Sequence, residues 1–130
     1  MNAQNKTINM KLEMEKGRSA LRQATILHQN NEYDGAVSRA YYAVLHFARA
    51  LLFSKGLETN SHEGTKRLFS LHFVREGSFE KKYSTILSHA QKAREESDYE
   101  PEIPFNEEES AARIEEAKTF LKKTESHLKI

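Results

Sequence analysis

The sequence predicts an all-α protein built as an antiparallel up-and-down bundle of four to five helices. Apolar residues recur at three- and four-residue steps in segment after segment, turn and cap residues separate those segments, and no stretch of useful length alternates with the period of a strand. With 130 residues the chain is expected to form one domain over its full span, 1–130, around a single core.

The first helix is expected from about Lys6 to Gln29, where Met10, Met14, Gly17, Leu21, Ala24 and Leu27 make one stripe. Asn30 to Gly35 reads as a turn, with Asp34 as the N-cap of the second helix. That helix should stop at Lys55-Gly56, because glycine adopts the left-handed C′ conformation without a Cβ penalty. Ser61 is expected to cap a third helix from His62 to about Arg75, with Leu68, Phe69, His72 and Phe73 inward. Gly77-Ser78 should end it and cap a fourth, which carries Phe79, Tyr83, Ile86, Leu87, Ala90 and Ala93 and frays near Tyr99. Pro101 and Pro104 place an irregular connection next, since proline disfavours helix in the residue before it. Asn106 with Glu109 three residues later forms an Asx capping box for a last helix on Ile114, Ala117, Leu121, Thr124 and Leu128.

The second helix is the centre of the chain. From Ser38 to Phe53 it is apolar on most sides, as a helix is when neighbours cover it from several directions. At about 100° per residue, Arg39 and His46 leave one face two turns apart. Tyr42 falls between them and Ser38 and Arg49 flank the same arc, while Ala36, Val37, Ala40, Tyr41, Val44, Phe47, Ala48 and Leu51 fill the opposite side.

Composition narrows the function classes. The absence of cysteine excludes disulfides, thiolate metal sites and a cysteine nucleophile. None of the six histidines has zinc-ligand spacing, His62-Glu63 lacks the second histidine of a zincin helix, and the glycines are too dispersed for a phosphate loop. No metal and no cofactor are expected. The longest apolar runs are far too short to span a bilayer and the N-terminus lacks a signal-like apolar core, so a cytoplasmic protein is expected. The net charge of +1 conceals an asymmetry: residues 1–93 hold 14 Lys and Arg against 8 acids, whereas residues 94–109 hold 8 acids and one base. The acidic segment either lies on basic surface, serves a second partner, or is a solvated loop.

The Arg39/His46 face has two readings. In one, Arg39 pairs with an acid such as Asp98 and His46 is a satisfied core imidazole. In the other, the face handles phosphate: a guanidinium clamps a phosphodiester and steadies charge gathering on it, while an imidazole exchanges a proton near neutral pH. Together those two groups would suffice to cleave RNA, whose 2′-hydroxyl is the nucleophile.

The run from Asn31 through His46, continued by Ala48–Leu52 and Lys55-Gly56-Leu57, resembles a HEPN domain (higher eukaryotes and prokaryotes nucleotide-binding) of the small stand-alone prokaryotic branch. Ser61–Gly64, Phe69 through Val74, and Arg94 through Asp98-Tyr99 resemble the same branch, so the likeness covers about residues 8–128. The resemblance implies a four- or five-helix bundle, a homodimer, and frequent pairing with a minimal nucleotidyltransferase (MNT). It also implies toxin-type, metal-independent RNase activity through an Arg-x4–6-His motif, which falls on Arg39 and His46 as catalytic residues. Tyr42, Arg49 and Arg94 would then bind substrate, with Asp98 and Tyr99 as structural support. Two further functions stay open: a non-catalytic module that binds a nucleotide or a nucleotidyltransferase partner, and a purely structural dimer.

Overall fold

The structure, a computed structural model, describes residues 2–99 and 104–130, except for the side chains of residues 93, 94 and 96–99. The protein is an all-α bundle of five helices: α1 (Ala3–Gln29), α2 (Tyr33–Ser54), α3 (His62–Phe69), α4 (Lys81–Tyr99) and α5 (Glu107–Leu128). Cross-helix contacts fix their directions. Gln23 meets Arg39 and Glu13 meets His46, so α1 and α2 are antiparallel. Arg18–Glu125 with His28–Ser110 sets α5 antiparallel to α1, and Tyr83–Phe120 with His89–Glu116 sets α4 antiparallel to α5. The four long helices thus alternate up and down. Short α3 is the addition, running the same way as α2, with His62 beside Tyr41 and Thr65 beside Arg49.

Local chemistry explains most boundaries. Asn2 caps α1 by accepting from the Asn5 amide, which starts that helix at Ala3 rather than near Lys6. Asn31 at φ 63 closes α1 in a Schellman motif, with the Asn31 amide on the His28 carbonyl and the Glu32 amide on that of Leu27. That reversal comes early, so α2 opens at Tyr33 behind Glu32 and Asp34 already lies in the first turn. Asp34 therefore does not cap α2 as expected. Its carboxylate accepts from the Phe105 amide at 2.8 Å and ties the entry of α5 to the start of α2. Gly56, at φ 74, ends α2 in a second Schellman motif. Ser61 and Asn106 cap α3 and α5 as their sequence positions predict.

The third helix departs from expectation in its second half. After Phe69 the chain widens into a π-helical turn, Ser70–Val74, closed by the Arg75 amide on the Ser70 carbonyl. Gly77, at φ 105, follows, and the Phe79 amide returns to the Phe73 carbonyl. Ser78 consequently caps nothing, and Phe79 precedes α4 instead of belonging to it. Its ring still enters the core, edge-on to Phe69, Phe73 and Tyr83.

The core runs along α2. Ala36, Val37, Ala40, Tyr41, Val44, Phe47, Ala48 and Leu51 are all buried, as are Ala43, Leu45, Ala50 and Leu52. Against them lie Met14, Ala20, Leu21 and Ala24 of α1 and Ile114, Ala117 and Phe120 of α5. Phe120 is fully buried although it stands outside the stripe read from the sequence. Each such side chain contributes roughly 1.5–3 kcal/mol of apolar burial. The two helices approach closely at Gly17, where an added Cβ would clash with Cε1 of Phe47 and sit 2.6 Å from its Cδ1.

Gly17→Ala tests that contact. Alanine improves helix propensity by about 1 kcal/mol, but the Phe47 ring is fully buried and has nowhere to go. The expected net loss is about 1–3 kcal/mol, read as a lower Tm in thermal unfolding. A second expectation concerns His127, whose ring packs on Phe73 and Phe79. Burial, then Lys123 and Lys55, lower its pKa, against a smaller opposing effect of Glu76. A lowered histidine pKa means the unfolded chain binds the proton more readily. The contribution is therefore intact above about pH 6.5 and is lost as pH falls through the native value. Tm should drop on acidification from pH 7 to 5, and less steeply in His127→Gln.

Candidate functional site

Arg39 and His46 leave α2 two turns apart, about 10 Å along the axis, and open into one groove between α1 and α2. The groove holds about 510 Å³ and is lined by both residues with Tyr42, and by Lys16, Ser19 and Gln23 of α1. Neither is sealed in the interior. Arg39 is half-buried, and the side chain of His46 keeps 20% of its surface exposed.

The two are held differently. His46 Nδ1 lies 2.6 Å from Oε2 of Glu13, whose side chain is 13% exposed. A carboxylate can only accept, so Nδ1 carries the proton and Nε2 is the ring nitrogen left to a ligand. Arg39 instead donates to the neutral carboxamide oxygen of Gln23 at 3.4 Å, with its guanidinium 5.0 Å from the Tyr42 ring centroid. Lying over a residue three positions on, the guanidinium leans along the helix toward His46. Among the described residues no carboxylate forms an ion pair with Arg39. The alternative partner Asp98, with Arg94 and Tyr99, lies outside the described side chains.

Other expected residues are placed elsewhere. Arg49 turns toward α3 and donates from Nε to Thr65 Oγ1 at 3.3 Å, away from the groove lining. Tyr41 is buried, with its hydroxyl 2.7 Å from His62 Nδ1, and Tyr42 packs edge-on against both rings. Tyr42 thus links the Arg39 groove to the start of α3. Among the described residues, no three His, Asp or Glu side chains gather as a metal site.

The groove offers fixed positive charge from Arg39 and Lys16, partly offset by Glu15 in the same lining, neutral donors from Ser19 and Gln23, and a proton acceptor in the His46/Glu13 pair. Such a set grips an oxyanion and moves a proton beside it. A family model for the HEPN domain matches residues 10–127. The chain belongs to the HEPN domain family. Among HEPN-related proteins it is 41% identical, over 82% of its own length and 78% of the other's, to a Methanocaldococcus jannaschii protein named "Putative toxin". A second protein of that organism bearing the same name is 28% identical over 88% of this chain and 78% of its own. A Thermotoga maritima protein named "UPF0332 protein" is 32% identical over 82% of this chain and 80% of its own.

The α1 side of the HEPN groove is formed by residues that the sequence reading did not single out: Lys16, Ala20 and Gln23 line it and Glu13 supports it through His46. These four recur at three- and four-residue steps, one position from the buried stripe of Met14, Gly17, Leu21 and Ala24. That polar stripe alongside an apolar one was the available signal. Only the α1–α2 pairing reveals that it faces Arg39 and His46.

Glu13 should set the tautomer of His46. In 15N NMR the neutral ring is expected to carry its proton on Nδ1. Glu13→Ala should turn this into a mixture of tautomers while leaving the helical circular dichroism unchanged.

Proposed function

We propose that this HEPN-family chain is a toxin-type RNase that cleaves RNA in the α1–α2 groove without needing a metal ion. The observation that carries the reading is the shared opening of Arg39 and His46, with His46 oriented by Glu13. The names of the two Methanocaldococcus relatives support the toxin part.

In this reading Arg39 clamps the non-bridging oxygens of the scissile phosphate and offsets the charge that grows on them. His46 Nε2 accepts the proton of the adjacent 2′-hydroxyl, and the carboxylate of Glu13 steadies the imidazolium. The 2′-oxygen bonds to phosphorus and the bond to the 5′-oxygen breaks. A 2′,3′-cyclic phosphate remains, and the departing 5′-oxygen takes a proton from solvent. Tyr42 holds the guanidinium from below, while Lys16 and Ser19 are within the lining to meet the neighbouring phosphate. Arg94 belongs to the proposed substrate contacts by resemblance, with Asp98 and Tyr99 as its support. The protein acts as a homodimer, and an MNT protein is its proposed antitoxin partner.

Purified protein incubated with total RNA in EDTA should release fragments ending in 2′,3′-cyclic phosphate. Arg39→Ala and His46→Ala should each slow this by about 10²–10⁴-fold, with the helical circular dichroism unchanged. Equal, slow digestion by wild type and both variants would end the catalytic reading. Saturable ATP binding at Arg39 without cleavage would move the protein to the nucleotide-binding alternative.

A further inference from the structure

A second groove, of about 630 Å³, lies on the other side of α3, between the π-helical turn and the first turns of α4. Arg67, Arg75 and Lys81 rim it, Leu71 forms part of its floor, and the Ser70 and Ser84 hydroxyls meet across it at 2.8 Å. All three cations are exposed, and their side chains have no hydrogen bond or ion pair among the described residues. No acidic residue lines the groove. Of the nearby acids, Glu76 is engaged by Lys55 and the Ser78 amide, which leaves Glu80.

Two features of the fold converge there. The π-helical turn inserts one residue beyond an α-helical turn, a rare local geometry that recurs at functional sites. It carries Leu71 outward, 42% exposed, while Phe69 and Phe73 on either side stay in the core. Lys81 and Lys82 also occupy the first turn of α4, which contains no acid. Cations at a helix N-terminus oppose the macrodipole, a local cost of the kind that proteins carry at functional sites. Three free cations around the exposed apolar side chain of Leu71 suit the phosphate backbone of a single strand, with a sugar against Leu71 and phosphates on the cations.

We propose that this groove is an auxiliary binding site for the phosphate backbone of single-stranded RNA. It is separate from the Arg39/His46 groove and holds the strand whose cleavage was proposed above, so its biological meaning rests on that reading. Its test does not. Binding of a fluorescein-labelled, roughly 20-nucleotide single-stranded RNA is followed by anisotropy at several salt concentrations, in EDTA. The site supplies about three phosphate contacts, each worth about 0.7 in the slope of log K against log salt. The triple variant R67A/R75A/K81A should bind at least tenfold more weakly, with a slope reduced by about 2. R67K/R75K, which keeps both charges, should retain most of the affinity. K11A/R22A/K118A, an equal loss of charge on other exposed surface, should weaken binding far less.

Unchanged affinity and slope in the first variant, an equal loss in the control, or no RNA binding by the wild type would each overturn the site. A dinucleotide substrate separates this result from catalysis, since it is too short to reach both grooves. R67A/R75A/K81A should cleave it as wild type does. If total RNA is digested equally slowly by wild type, Arg39→Ala and His46→Ala but the binding results hold, the catalytic reading fails and the auxiliary site stands.

Discussion

Gly17 stacked against Phe47 is the contact on which the rest of the molecule depends. With no side chain at 17, the fully buried ring of Phe47 lies against the backbone of α1, and the two longest-packed helices come together at that point. Glu13 is one turn before Gly17 and His46 is the neighbour of Phe47, so the same close approach puts the carboxylate within 2.6 Å of the imidazole. Gln23 reaches Arg39 on the far side of the contact. Core packing and site geometry are therefore one constraint: a shift of α1 by a single residue would rotate Glu13 and Gln23 off the groove together.

The two basic groups differ because their partners differ. Glu13 and His46 are mostly buried, and a buried acid or imidazole without a partner carries a desolvation penalty, so each accounts for the other. Among the described residues Arg39 has a carboxamide and the face of Tyr42, interactions of about 0.5–1 kcal/mol at a partly exposed site. No strong ion pair among the described residues has to break before Arg39 meets an anion. A structural arginine in a helix bundle is ordinarily matched by a carboxylate. Here, among the described residues, the carboxylate goes to the histidine and the arginine has neutral company, a division suited to binding charge beside a proton acceptor.

How far the sequence could be read follows from which forces were local. Helix existence, the Ser61 and Asn106 caps and the Gly56 stop depend on residues within a few positions, and those were legible. So was the common face of Arg39 and His46, which follows from helical pitch. Asp34 was misread because a non-glycine residue, Asn31, took the left-handed conformation and ended α1 in a tight Schellman motif that moved the next helix start upstream. The π-helical turn has no sequence signature of its own: it arises because Phe69, Phe73 and Phe79 must all reach one core while Gly77 reverses the chain. Phe120 was absent from the expected stripe because the neighbouring Leu121 fits the same spacing, and only the tertiary cluster of Phe69, Phe79 and Tyr83 selects between them. Glu13 and Gln23 needed tertiary information, since nothing within α1 indicates which helix its polar stripe will meet.

Charge distribution gives the two grooves different work. In and around the Arg39 groove, Lys16 and Arg39 are set against Glu13 and Glu15, so its far field is small and its effect on an anion is felt only on contact. Such a site discriminates and reacts, but it does not gather a polyanion from a distance. The face bearing Arg67, Arg75 and Lys81 has the opposite character: exposed, predominantly positive, and free of ion pairs between those residues and any described acid. A field of one sign raises encounter rates and holds a flexible strand loosely. On the proposed reading, a neutralised reactive groove is most useful when another surface captures the strand, which would give one small helical bundle a physical reason to carry both.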